Sequence, residues 1–238
     1  QHSSDGILGA ELLLEHVHPN QQGYQLIAQS WWRSLSQAGV LAPIAQGDTA
    51  KAAGSLLSVL DLVHANYKIA VLLADYPFDQ QQQIAAPSLA DFSRQLPQPA
   101  LQQLATQLVQ GGNWLSLHQQ LLNFYQQQRD AVNAAKVAAL LSDALPFQAD
   151  IAFAAGQFYF LSEDLTMAGL YQKRAVQLRP QELQYRLMLA RTQAAMGDVS
   201  GALAQLDLIL QQQPDHPIAL QQQARLKAVL ATGRGGVS

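Results

Sequence analysis

The residues best equipped for chemistry lie near the N-terminus, in Glu15-His16-Val17-His18-Pro19-Asn20. A carboxylate three positions before an imidazole supplies the residue types of acid–base work. The same spacing also arises by chance, and His16 or His18 has a plainer reading as the cap of a turn. As metal ligands, His16 and His18 would need a strand or loop and further ligands, so no metal and no other cofactor is expected. The chain has no Cys, which removes disulfides, thiolate metal sites and a Cys nucleophile. Asp143, Asp150, Glu163 and Asp164 read as helix caps and turns. Trp114 and Tyr125 read as core rather than as a ligand cage. Gly233-Arg234-Gly235-Gly236 is a tail, not a phosphate loop, since no strand precedes it and no helix follows.

The elements that must position these residues are helical. Of the 238 residues 49% are hydrophobic, enough for one large domain or two small ones. Only 13% are charged, well below the usual share of about 25%. Gln takes up the solvated positions, in runs such as 80–83, 126–128, 211–213 and 221–223. Gln, Ala and Leu are good helix formers. The net charge of −3 offers no electrostatic grip on nucleic acid. No apolar run approaches the roughly 20 residues of a membrane helix. The chain starts at Gln1 rather than Met, as expected of a fragment or a processed product.

Pro19-Asn20 opens a helix whose stripe holds Tyr24, Ile27, Ala28, Trp31, Trp32 and Leu35, and Gly39 stops it. Residues 40–48 read as a linker. A helix is expected from Thr49 to Ala74, ended by Pro77, another over 80–95, and another from Pro99 to Gln110. Residues 80–112 offer a degenerate repeat, with Ala100 and Gly112 in phase.

From there the pattern is periodic. Pro146, Pro180 and Pro214 recur every 34 residues. Residues 113–146, 147–180 and 181–214 each predict two helices joined by a short turn. Leu121, Ala155 and Leu189 align, then Leu122, Gly156 and Ala190; Tyr125 and Tyr159 follow, with Gln193 departing. In the second helix Ala134, Ala168 and Ala202 align, then Leu141, Ala175 and Ile209. Small residues let antiparallel helices approach closely, and large ones fill the space beside them.

Leu189-Ala190, Gly197-Asp198, Ala202 and Pro214, with Ala175 and Pro180 one unit earlier, resemble the tetratricopeptide repeat (TPR). Glu163 and Arg129 stand where that repeat usually has Gly. The fold class expected is therefore all-α: a right-handed TPR-like solenoid of helical hairpins over 113–214. Irregular helices precede it over 49–112, and a capping helix and tail follow over 215–238. Stacked repeats of this kind present a concave groove to a peptide or a partner helix. By helix phase Asn123, Gln126, Gln157, Phe160, Arg186 and Arg191 are the candidate peptide-binding residues. With so few charges, the grip should come from Gln hydrogen bonds and apolar contact and should tolerate salt.

Leu14-Glu15-His16-Val17-His18-Pro19, followed by Gly23-Tyr24, resembles the last block of SGNH (GDSL-type) hydrolases. The resemblance implies that His18 is a general base toward a Ser and that Glu15, in place of the usual Asp, orients its imidazole. It spans residues 1–40 at most. Ser3 and Ser4 lack a Gly-Asp-Ser context, so the nucleophile block would lie upstream of Gln1. YKIAVLLAD over 67–75, then Tyr76-Pro77-Phe78, resembles the joint of bacterial proteins that pair such a domain with TPRs. The chain itself is then a non-catalytic interaction scaffold, or else the accessory arm of an ester hydrolase or acyltransferase that is exported or periplasmic. A third reading is self-association of the repeats. A nucleic-acid partner is not expected, nor is a membrane-spanning segment.

Overall fold

The computed structural model describes residues 12–13, 19–40, 57–75, 85 and 87–231. Glu15, His16 and His18 lie outside the described residues, as do 41–56 and 76–84. Eleven helices form among the described residues, with no strand. They divide between two units, one of residues 1–56 and 65–87 and the other of residues 57–64 and 88–238.

In the first unit, α1 spans Gln21–Gln37. Its start is fixed by chemistry on three sides. Asn20 caps it by accepting from the Gly23 N–H at 2.9 Å, and the Asn20 N–H donates to the Leu12 carbonyl at 2.8 Å. A Cβ on residue 23 would run into that carbonyl. Gly39, at φ 71°, ends the helix in the left-handed region that glycine tolerates. The expected stripe forms, but Tyr24, Ile27, Trp31 and Leu35 are exposed along it.

The second unit begins with the first turn of α2, Val59–Leu73, whose first described helical residue is Val59, not Thr49. A five-residue α3, Leu89–Ser93, and α4, Pro99–Val109, form a hairpin. The helix expected over 80–95 is, within the described residues, only α3, which starts after Pro87 and Ser88. Leu60 and Val63 of α2 join Leu96 and the buried line Leu101, Leu104, Ala105 and Leu108 of α4 in one core. Ala100 is exposed, unlike Ala134, Ala168 and Ala202, while the buried Leu101, Leu104, Ala105 and Leu108 stand 34 residues before the buried Ala135, Ala138, Ala139 and Ser142.

Three regular hairpins follow: α5 (Trp114–Gln127) with α6 (Ala131–Ala144), α7 (Ala149–Leu161) with α8 (Leu165–Leu178), and α9 (Leu183–Ala195) with α10 (Val199–Gln212). α11 (Pro217–Ala231) packs on α10. The second helices begin at Ala131, Leu165 and Val199, the 34-residue period of the prolines. The aligned small and large positions are the core. Leu121, Ala155 and Leu189 are buried, as are Ala134, Ala168 and Ala202, and Leu141, Ala175 and Ile209. At Gly156 the α7 backbone meets α8, and a Cβ there would strike the Gln172 side chain. The second unit is thus an all-α, TPR-like stack of hairpins.

Each hairpin turn repeats one device. Asp130, Asp164 and Asp198 cap the second helices, accepting from the N–H groups of Asn133, Met167 and Gly201 at 3.0, 3.1 and 2.8 Å. The preceding residues, Arg129, Glu163 and Gly197, hold φ of 56°, 65° and 82°. Asp164 is therefore a cap and Glu163 a turn residue, as expected. Asp143 and Asp150 are not caps. Asp143 lies near the end of α6, where helical N–H groups are already bonded. It accepts from the Arg174 guanidinium at 2.7 Å and the Tyr171 hydroxyl at 3.2 Å. Asp150 follows the start of α7 and binds Arg179 at 2.9 Å and the Tyr185 hydroxyl. Both carboxylates tie one hairpin to the next. Burial and the Asp150 hydrogen bond push the Tyr185 hydroxyl up to about 12.

Candidate functional site

The first helices of the hairpins carry the candidate binding residues in register. Asn123, Gln157 and Arg191 occupy one position of successive repeats, and Gln126 and Phe160 occupy another three residues later. Asn123, Gln126 and Arg191 are exposed; Gln157 and Phe160 are half-buried. The Arg191 guanidinium carbon lies over the Phe160 ring, 4.8 Å from its centroid. That contact joins α9 to α7 and leaves a cation on an aromatic face. Deeper between the same two helices the Phe153 and Tyr185 rings lie 4.6 Å apart.

Arg186 is set apart from this group. It precedes Arg191 by five residues, about 140° around a helix of 3.6 residues per turn. Its Nε donates to the Pro180 carbonyl at 2.9 Å and its Nη1 to Gln205 Oε1 at 3.1 Å. The side chain is thereby committed to the second helix of its own hairpin.

A polar cluster that the sequence reading passed over lies at the start of α5, the helix that carries Asn123 and Gln126. His118, on α5, is fully buried. Its Nδ1 donates to the Trp114 carbonyl at 2.8 Å. Its Nε2 faces Ser58 Oγ at 2.8 Å and Asp61 Oδ2 at 3.1 Å. Trp114 stacks on the imidazole, with centroids 4.0 Å apart, and its Nε1 donates to Asp61 Oδ1 at 2.8 Å. The Ser58 N–H donates to Asp61 Oδ2 at 2.8 Å, while Ser58 Oγ accepts from the Leu60 and Asp61 N–H groups at 3.2 and 3.1 Å. That reciprocal pairing is a capping box with Asp in the acidic position. Burial pushes the Asp61 carboxyl up, but hydrogen bonds from His118, the Ser58 backbone and Trp114 outweigh it and hold it at about 2. The Trp114 carbonyl thus faces one ring nitrogen and the Asp61 carboxylate the other.

Ser, His and Asp in contact invite comparison with a hydrolytic triad, and the geometry argues against one. In a triad the serine and the carboxylate meet opposite ring nitrogens. Here both meet Nε2, and Ser58 Oγ is occupied as a helix cap. Both Ser58 and His118 are buried. The cluster fastens the first turn of α2 to α5.

Trp114, expected in the core, therefore bridges core and polar cluster. The sequence signal that could have revealed the cluster is Ser58-Val59-Leu60-Asp61, a helix-start pattern. The Glu15 and His18 pair lies outside the described residues; beside it, the Leu13–Pro19 bridge and the Asn20 cap are the described local structure. No described helix is long and apolar enough to cross a membrane.

No protein-family model matches the chain, and no curated protein matches it. Among solved structures, the chain is similar to the one titled "First TPR of Spaghetti (RPAP3) bound to HSP90 peptide SRMEEVD", at 17% identity and a TM-score of 0.45, over 49% of this chain and 93% of that one.

Proposed function

We propose that the chain is a non-catalytic protein-interaction scaffold that binds a peptide segment on the first helices of its hairpins. The observation that carries the reading is the register of Asn123, Gln157 and Arg191, with Gln126 and Phe160 beside them, on α5, α7 and α9. Amide groups there can donate and accept, and the Phe160–Arg191 pair offers an aromatic face with a cation above it. Arg186, bonded to the Pro180 carbonyl and Gln205, stands apart from this group. The grip is by hydrogen bonds and apolar contact, so it is insensitive to salt.

The test is selection of a binder from a phage-displayed library of short random peptides on the full chain. Gln157→Ala with Phe160→Ala should weaken the selected peptide about tenfold or more without loss of helicity. An unchanged affinity would reject this face as the site.

A second reading rests on Glu15-x-x-His18 and its resemblance to SGNH hydrolases. In it the repeats are the accessory arm of an ester hydrolase or acyltransferase whose serine is supplied by another part of the protein. Ester turnover by the longer protein, abolished by His18→Ala, would support it; turnover unaffected by that change would exclude it.

A further inference from the structure

α4 and α5 run antiparallel, joined by the turn at Gly111 and Gly112. Gly111 holds φ 91°, and a Cβ on residue 112 would come within 2.7 Å of the Gln107 carbonyl oxygen. The turn is therefore glycine-dependent and fixes how the two helices face each other. Between them lies an open cleft of about 310 Å³. Its walls carry Gln103 and Gln107 on α4 and Gln120, Asn123 and Gln127 on α5, and no charged residue lines it. Leu104 and Phe124 supply its apolar part. The amide row continues past the turn, where a second hollow is bordered by Gln110, Asn113 and Ser116.

Most of these amides have hydrogen-bonding capacity to spare. Gln120 Nε2 makes one long contact, 3.4 Å, to Ser116 Oγ. Gln103, Gln107, Asn123 and Gln127 are not tied to other side chains among the described residues, and all but the half-buried Gln107 are exposed. Their spacing has a consequence. Gln103 and Gln107 are one turn apart, a rise of about 6 Å. An extended chain advances about 6.6 Å for every two residues. Successive amide rungs thus fall in step with the peptide groups that point to one side of an extended strand. A side-chain amide offers the same donor and acceptor as a peptide bond, and an uncharged wall gives no counter-charge to a charged ligand.

We infer that the cleft between α4 and α5 holds the main chain of an extended, uncharged peptide segment through these amide rungs. The inference rests on the peptide-binding reading of the first-helix face and extends it past Asn123, which borders the cleft. The rungs read the backbone and the apolar floor takes one small or apolar side chain. Sequence preference here is therefore weak, apart from exclusion of Asp, Glu, Lys and Arg.

The experiment uses the full chain and the peptide selected from the random library. Each main-chain N–H of the peptide is N-methylated singly. Binding is measured on the wild type, on Gln103→Ala/Gln107→Ala/Gln120→Ala, and on Gln157→Ala/Phe160→Ala. Alanine at such positions preserves helix, and circular dichroism confirms it. The expected result is an uncharged consensus and a loss of about tenfold or more in the triple variant. Methylation should also be harmful at alternate residues along one stretch and tolerated between them. If the triple variant binds normally while the Gln157/Phe160 variant does not, the inference fails and the first-helix face stands. If neither variant loses binding, both readings fail. A charged consensus, or uniform tolerance of methylation, overturns the inference. So does a neutral oligosaccharide such as a dextran oligomer binding through the same three glutamines while no peptide does.

Discussion

Between α5 and α10 the helices close on alanine and glycine, whereas between α2 and α5 they close on a buried imidazole and a half-buried carboxylate. In the repeats, Ala155, Ala168, Ala175 and Ala202 are fully buried, and Gly156 lets α7 meet α8. The ion pairs of the repeats, Asp143 with Arg174 between two of them and Asp150 with Arg179 within one, lie toward the surface, where each is worth little. Around His118 the hydrogen bonds are inside, and removing one partner takes a bond from each group that faces it. Close packing tolerates change where the chain can relax; a satisfied buried network does not.

The largest effect should come from breaking the network. His118→Ala removes a fully buried ring with its hydrogen bonds to Ser58 and Asp61 and leaves a cavity, and should cost about 3–5 kcal/mol of unfolding free energy, measured by denaturant titration of the full chain. A cost similar to an exposed substitution would show that the two regions are held alike. Next comes overpacking of the repeats. In Gly156→Leu the side chain must displace Gln172, for a cost of about 1–3 kcal/mol, with thermal unfolding as the readout. Asp164→Ala removes one of three equivalent caps and should cost about 1 kcal/mol. Asp130→Ala and Asp198→Ala should match it if the turns are truly one device. The smallest change has the opposite sign. Glu163→Gly relieves a left-handed φ of 65° and should stabilise by at most about 1 kcal/mol, reduced by the extra freedom that glycine gives the unfolded chain.

Acid sharpens the same contrast. The Asp61 carboxyl is lowered from 3.8 to about 2 in the fold, so the unfolded chain binds its proton first as pH drops. Its contribution to stability is fully present above pH 3.8 and is lost as pH falls through about 2. Asp61→Asn should flatten that part of the pH–stability curve. An unchanged acid limb would show that other carboxylates control it.

The repeats were legible in the sequence because they are written locally and three times over. Pro146, Pro180 and Pro214 mark the period, and Ala134, Ala168 and Ala202 mark the close approach. Asp164 was readable as a cap because caps act within three residues. His118 was not readable, because its partners Ser58 and Asp61 are 60 and 57 positions away and a lone histidine on an apolar helix has no local signature. Asp143 and Asp150 were misread for the same reason: their partners are about 30 positions away, beyond the reach of a local pattern. The shared register of Asn123, Gln157 and Arg191, and of Gln126 and Phe160, on the first helices was legible as helix phase. Arg186 departs because a guanidinium reaches the nearest acceptors, here Pro180 and Gln205, whichever face its Cα occupies. The cleft between α4 and α5 required the fold, since its two walls lie on either side of a glycine turn.

The most direct test of the binding-scaffold reading is the affinity of the selected peptide for the full chain across a salt range, with Phe160→Ala in parallel. The account predicts that the dissociation constant moves by less than about twofold as salt screens exposed charges, and that Phe160→Ala weakens binding at every salt concentration. A steep loss of affinity with salt, or a Phe160→Ala chain that binds as well as the wild type, would contradict it.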